Sequence, residues 1–88
     1  MIRKEITVTN KLGIHARPSF LIATLAQKYN ADIMLLKDAT SANARSIMSL
    51  MMLAAGQNAK LVIQANGKDE QEAVNAIANL FEKNFNEE

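Results

Sequence analysis

The chain has 88 residues, 49% hydrophobic and 22% charged, which fits one small globular domain spanning residues 1–88. Ten basic and nine acidic residues give a net charge of +1, so the overall charge favours neither nucleic acid nor a membrane surface as partner. The lack of cysteine excludes disulfides and thiol chemistry. The polar start and the lack of a long apolar run predict a cytoplasmic protein without signal peptide or membrane span.

The first half of the chain shows a strand, a helix and a second strand. The first strand is indicated by alternating apolar residues, namely Ile2, Ile6 and Val8. After a loop signal at residues 10–13, a helix is expected to begin near Pro18, because the missing N–H of proline costs nothing in a first turn. It ends at Asn30, and residues 33–36 then form an apolar run of strand length. The apolar face of this helix consists of Leu21, Ile22, Leu25, Ala26 and Tyr29.

The second half adds two more strands and two more helices. Residues 38–41 predict a turn, and residues 42–44 predict a short third strand. Ser46 is a plausible N-cap for a helix through about Leu53, which Gly56 closes. A fourth strand at residues 61–65 ends at Asn66-Gly67. The last helix starts at Asp69 with Glu72, which resemble a capping box, and its apolar residues are Ala73, Val74, Ile77, Leu80 and Phe81.

The element order β-α-β-β-α-β-α predicts an α+β fold. Its first six elements match the split βαβ arrangement. With right-handed crossovers, this order gives a four-stranded antiparallel sheet with the helices packed on one face.

The single histidine, His15, directly precedes the first predicted helix. A helix N-terminus offers unpaired N–H groups and a partial positive charge, so it attracts anions. A neutral imidazole there can attack phosphorus, and Arg17 can bind the same oxygens with its planar guanidinium. The alternatives are that His15 only caps the helix and that Arg17 is a solvated surface charge.

The absence of certain motifs excludes several kinds of chemistry. There is no phosphate-binding loop for a nucleoside triphosphate, and a lone histidine does not supply a metal cluster. We therefore expect no cofactor and no metal, and a phosphohistidine that partner proteins charge and discharge. This describes a phosphocarrier rather than an enzyme.

Two segments resemble the HPr family, the histidine-containing phosphocarriers of the bacterial phosphotransferase system. Residues 9–18 look like its active-site signature, and residues 46–51 look like its short middle helix and serine site. Features of both the sugar-transport branch and the nitrogen-related NPr branch occur. The resemblance implies an open-faced β-sandwich phosphorylated on Nδ1 of His15. It also implies that Arg17 and the N–H groups around Ala16 and Arg17 bind the phosphoryl group.

The same resemblance implies the partners. Enzyme I is the donor, Enzyme II A-type domains are the acceptors, and an HPr kinase/phosphorylase is a further partner if Ser46 is a regulatory phosphorylation site rather than only an N-cap. The chain is expected to be a monomer. We expect partner contacts from Phe20, Ile47, Met48 and Met51, with Leu50 and Leu53 in the core.

Two other functions are compared with this one, and the first of them is set aside. An RNA-binding domain shares the βαββαβ order, but it stacks bases on aromatic residues of the sheet, and the predicted strands contain none. An HPr-like protein that is mainly regulatory would act by binding partner proteins, without relaying phosphate.

Overall fold

Four strands and three helices follow the predicted order in the computed structural model, which describes residues 1–87. Their bounds are β1 Ile2–Thr7, α1 Ala16–Ala26, β2 Ala31–Lys37, β3 Thr40–Asn43, α2 Ile47–Met52, β4 Lys60–Gly67 and α3 Glu70–Glu82. A single turn of 3₁₀-type helix, Asn84–Asn86, follows α3. The predicted α+β fold is confirmed.

The strands form one antiparallel sheet in the order β1-β4-β2-β3. The register pairs Ile6 with Leu61 and Leu35 with Ile63. Residues of one parity along β2 and β4 therefore face the helices and are buried, whereas the other parity remains half-buried or exposed. Such alternation is typical of an antiparallel sheet that has helices on one face only.

The helices cover the sheet with apolar side chains at helical spacing. Along α3 the buried residues are Ala73, Val74, Ile77, Ala78 and Phe81. This helix contacts β1, β2 and β4, and α1 contacts both α2 and α3. The Phe81 ring meets the buried Phe85 ring edge to face, with 4.8 Å between the ring centroids, which extends the core beyond the end of α3.

Helix α1 begins earlier and ends earlier than the sequence predicts. Its first residue is Ala16, so His15 is the N-cap and Pro18 is the third helical residue. The backbone leaves α1 after Ala26 through a turn, and Asn30 lies beyond that turn. Proline is accepted anywhere in the first turn, where its N–H would have no partner inside the helix, and this explains the shift.

Three local predictions in the second half are wrong. Strand β3 begins at Thr40, so the turn is shorter than expected. Helix α2 is not closed by Gly56, because the positive φ after it belongs to Ala54, at +53°. The Asp69 side chain does not cap α3; its Oδ2 accepts the N–H of Asn30 at 2.9 Å instead. A contact between distant segments replaces the predicted local one.

Within residues 1–87, no helix combines the length and the apolar composition needed to cross a membrane.

Candidate functional site

The His15 side chain extends from the start of α1 without capping it. The residue has an extended backbone (φ −87°, ψ −166°), and its side chain accepts no hydrogen bond from the helix. Its carbonyl accepts the N–H of Ser19 at 3.0 Å, which is the first hydrogen bond of the helix. The N–H groups of Ala16 and Arg17 have no carbonyl acceptor within the helix, because they belong to its first turn. These two groups are therefore suited to bind an anion next to the ring.

The loop before α1 is held by the segment after α2. The N–H of Ile14 donates to the carbonyl of Ala55 at 2.9 Å. Gly13 has φ +66°, and a Cβ at this position would lie 2.2 Å from the same carbonyl oxygen. Only glycine tolerates both the left-handed conformation and this close approach. The position of His15 thus depends on a glycine two residues before it.

Arg17 is oriented by the C-terminal segment. Its Nη1 donates to the carbonyl of Phe85 at 2.8 Å and lies 3.4 Å from Oε2 of Glu87. About half of its side chain, 52%, is exposed. The guanidinium is therefore fixed on one side and open to solvent on the other, beside His15.

Glu87 connects the site to the end of the chain. Its Oε2 lies 2.9 Å from Nε2 of His15, and its Oε1 accepts a hydrogen bond from Nδ2 of Asn10 at 3.0 Å. Asn10 is fully buried and also donates to the carbonyl of Gly13. Partial burial raises the pKa of the Glu87 carboxyl, but hydrogen bonds from Asn10, His15 and Arg17 outweigh it and leave the pKa below its ordinary value.

A left-handed turn brings Glu87 to this position. Asn84, Phe85 and Asn86 have φ values of +51°, +55° and +62°. Asparagine accepts this conformation readily, whereas phenylalanine does so only when its surroundings compensate. Here the Phe85 side chain is fully buried against Phe81, and Asn84 accepts a hydrogen bond from Thr9. The turn therefore folds the end of the chain back onto the His15 loop.

Ser46 forms the N-cap of α2, as predicted. Its Oγ accepts the N–H of Ser49 at 3.1 Å, and its side chain is half-buried. Leu50 and Leu53 are buried in the core, also as predicted. The four residues expected to contact partners are all exposed, with fractions of 56% for Phe20, 40% for Ile47, 74% for Met48 and 45% for Met51.

The sequence analysis missed several residues of this region. Exposed apolar side chains include Leu12 and Met52, which no prediction singled out as contacts. Asn10 was taken only as a loop signal, and no sequence pattern pointed to Glu87. Within residues 1–87 no group of three metal-ligating side chains comes together, and none of the four strands contains an aromatic residue.

A half-buried histidine beside an arginine, at the start of a helix packed on a four-stranded sheet of this topology, is typical of small histidine phosphocarrier domains. The profile of the family described as "PTS HPr component phosphorylation site" matches residues 2–83. The phosphocarrier protein HPr of Treponema pallidum is 42% identical over 88 residues, covering all of both chains. The phosphocarrier protein NPr of Klebsiella oxytoca is 38% identical and covers 99% of this chain and 98% of its own.

A solved structure of an HPr protein has the same fold. HPr-C-His from Thermoanaerobacter tengcongensis superposes with a TM-score of 0.95 at 40% identity, covering 100% of this chain and 99% of the other. The chain therefore belongs to the HPr family of the phosphotransferase system. Its function is that of a phosphocarrier rather than an enzyme, and the family implies Enzyme I and Enzyme II A-type domains as its partners.

Proposed function

We propose that His15 accepts a phosphoryl group from phospho-Enzyme I and passes it to Enzyme II A-type domains. The observation that carries this proposal is the position of the ring. His15 is the N-cap of α1, its side chain is 34% exposed, and it leaves the N–H groups of Ala16 and Arg17 free of side-chain caps. A histidine that served as a cap would itself accept the N–H of Arg17, since Pro18 at the next position has none.

The first turn of α1 supplies the phosphate-binding groups. In this mechanism Nδ1 of His15 attacks phosphorus, and the phosphoryl oxygens accept hydrogen bonds from the N–H groups of Ala16 and Arg17. The Arg17 guanidinium neutralises charge on the transferring group, since its planar fork matches phosphate oxygens. Its present contact with the Phe85 carbonyl, at 2.8 Å, holds it close to the ring. The donor and the acceptor supply the other catalytic groups.

Partners are proposed to dock on the exposed apolar side chains of α1 and α2. These helices contact each other, and they carry Phe20, Ile47, Met48 and Met51 at the surface. Methionine side chains adapt to different partner shapes, which suits a protein that must bind a donor and several acceptors in turn. A surface of this kind needs no large conformational change between partners.

A second proposed function is regulation through Ser46 by an HPr kinase/phosphorylase. Its support is the position of Ser46 immediately before Ile47 and Met48, within the proposed docking surface. A phosphate there would be favourable for its own helix N-terminus but would repel an acidic partner and be costly to desolvate. Regulation would then act on partner binding rather than on the stability of the fold.

Intact-mass analysis after mixing the protein with Enzyme I and phosphoenolpyruvate tests the relay. The parent is expected to gain one acid-labile phosphoryl group, and His15→Ala none. Since the chain has a single histidine, no other imidazole can substitute. Ser46→Ala is the matched control and should still be phosphorylated. A phosphoryl group on His15→Ala would contradict the proposal.

We also propose that the protein acts as a cytoplasmic monomer with one domain spanning residues 1–88. The continuous hydrophobic core shared by the sheet and the helices supports the single domain. Light scattering coupled to size-exclusion chromatography should give the mass of one chain at micromolar concentration. A mass of two chains would contradict the monomer.

A further inference from the structure

The contact between Glu87 and His15 constrains which ring nitrogen carries the proton. Glu87 Oε2 lies 2.9 Å from His15 Nε2. An ionised carboxylate only accepts hydrogen bonds, so the nitrogen facing it must be the donor. In a neutral ring with the proton on Nε2, the lone pair is on Nδ1. This contact therefore selects the tautomer whose Nδ1 is the nucleophile.

We propose that Glu87 is a positioning residue for phosphoryl transfer: it holds neutral His15 as the Nε2–H tautomer and stabilises the positive charge that the ring acquires on attack. The proposal rests on the proposed function of His15 as phosphoryl acceptor. It adds a residue outside the region matched by the family profile, which ends at residue 83.

The transfer step balances without moving the Nε2 proton. The Nδ1 lone pair forms the bond to phosphorus, and the bond between phosphorus and the donor atom of the partner breaks, leaving its electron pair on that atom. The ring of His15 then carries one positive charge shared with Nε2–H, and the carboxylate of Glu87 faces it. On transfer, an acceptor atom of the partner forms the new bond to phosphorus, and the pair of the breaking Nδ1–P bond returns to Nδ1. The ring is then neutral again, with the same proton on Nε2 throughout.

The carboxylate is held more firmly than an ordinary surface partner would be. Its two oxygens are divided between Asn10 on one side and His15 with Arg17 on the other, and the side chain is 19% exposed. Exposed ion pairs are usually mobile because each side chain has many rotamers. Here Glu87 is bonded to the fully buried Asn10, and it directly follows the turn at residues 84–86.

The ionisation of Glu87 fits this role. A glutamate carboxyl is ionised at neutral pH, and the hydrogen bonds to Glu87 lower its pKa further, so it acts as a hydrogen-bond acceptor there. An aspartate that orients a catalytic histidine in hydrolases acts by the same physical principle, through tautomer selection and charge stabilisation rather than proton transfer.

The test compares Glu87→Gln with Glu82→Gln, which removes the same charge from an exposed residue at the end of α3 that pairs with Lys4. Two quantities are measured: the single-turnover transfer rate against Enzyme I concentration, and the ¹⁵N chemical shifts of the His15 ring at mildly alkaline pH. We expect Glu87→Gln to lower the saturating rate about tenfold, equivalent to ~1.4 kcal/mol in the barrier, with an unchanged half-saturation concentration. The Nε2–H tautomer should dominate in the parent and decrease in Glu87→Gln. Glu82→Gln should match the parent in both measurements.

Three outcomes would overturn the proposal. They are a parent-like saturating rate in Glu87→Gln, a change confined to the half-saturation concentration, and a faster rate. The last would show that the carboxylate obstructs the incoming phosphoryl group. A parent protein that is never phosphorylated would reject the proposed function of His15. The ring ¹⁵N shifts do not depend on phosphorylation, so they would still show whether Glu87 holds the Nε2–H tautomer.

Discussion

The N-termini of α1 and α2 are built differently, although a polar residue precedes each helix. Ser46 closes α2 by accepting the N–H of Ser49 with its own side chain at 3.1 Å. His15 makes no such bond at α1, and its ring instead contacts Glu87 from the end of the chain. At both helices the N–H groups of the first two residues have no partner within the helix, but only at α1 do they lie beside a histidine ring.

This difference separates two kinds of helix terminus. A serine cap stabilises its own helix by accepting the N–H of the third helical residue, here Ser49. An uncapped terminus is less stable by itself but can bind a phosphoryl group and release it again. The loop at Gly13 and the turn at residues 84–86 supply from outside the fixation that the α1 terminus lacks.

The largest effect is expected for Gly13→Ala, which disturbs the support of the α1 terminus. The new Cβ would lie 2.2 Å from the Ala55 carbonyl oxygen in a left-handed backbone. We expect a loss of about 2–3 kcal/mol in the free energy of unfolding, from overpacking and backbone strain. Gly56→Ala is the matched control, because a Cβ there has no neighbouring atom within 4 Å. Denaturant melts that give equal losses for the two variants would contradict this account.

The next effect concerns the charge beside the uncapped terminus. Arg17→Lys keeps the positive charge but cannot bind phosphate oxygens with a planar fork, so transfer from Enzyme I should slow about tenfold. The free energy of unfolding should hardly change, since the side chain is half exposed. Rapid-quench kinetics and a thermal melt measure the two quantities. Equal transfer rates would mean that Arg17 is only a surface charge.

A smaller effect should distinguish the two N-cap residues, Ser46 and His15, by their contributions to the free energy of unfolding. Ser46→Ala removes the bond to Ser49 and should cost about 1 kcal/mol. His15→Ala removes no capping bond, so it should cost less, although it gives up the contact with Glu87. Melts of both variants under identical conditions make the comparison. A larger loss for His15→Ala would assign a structural role to the histidine.

The smallest expected effect is that of Ser46→Asp. Aspartate is also a good N-cap, so the variant should fold at least as well as the parent. Its charge lies beside the exposed Ile47 and Met48, so phosphoryl transfer from Enzyme I should slow about threefold, mostly through weaker binding. Single-turnover transfer against Enzyme I concentration separates binding from chemistry. An unchanged half-saturation concentration would place Ser46 outside the docking surface.

Local patterns explain what the sequence could predict. Strand alternation and helical spacing depend on neighbouring residues, so the element order and the antiparallel sheet followed from them. The Ser46 cap also involves residues only three positions apart, and it was predicted correctly. The Asp69 cap failed because its carboxylate binds Asn30, 39 residues away in the chain.

Contacts between residues distant in the chain also limited the prediction of the site. His15 and Arg17 were identified from their adjacency to a helix start and from the resemblance of residues 9–18 to the HPr signature, both visible in the sequence. Glu87 lies 72 residues from His15, and it reaches the ring only through a left-handed turn that contains the buried Phe85. No composition or spacing rule predicts such a contact, because it depends on how the end of α3 packs in three dimensions.

The central claim is that the terminus of α1, unlike that of α2, binds the phosphoryl group. Amide ¹H–¹⁵N spectra before and after charging with Enzyme I and phosphoenolpyruvate test it most directly. The account predicts large shifts for the N–H groups of Ala16 and Arg17 and an unchanged N–H of Ser49, which remains bound to Ser46. A phosphorylated protein whose Ala16 and Arg17 amides do not move would contradict it.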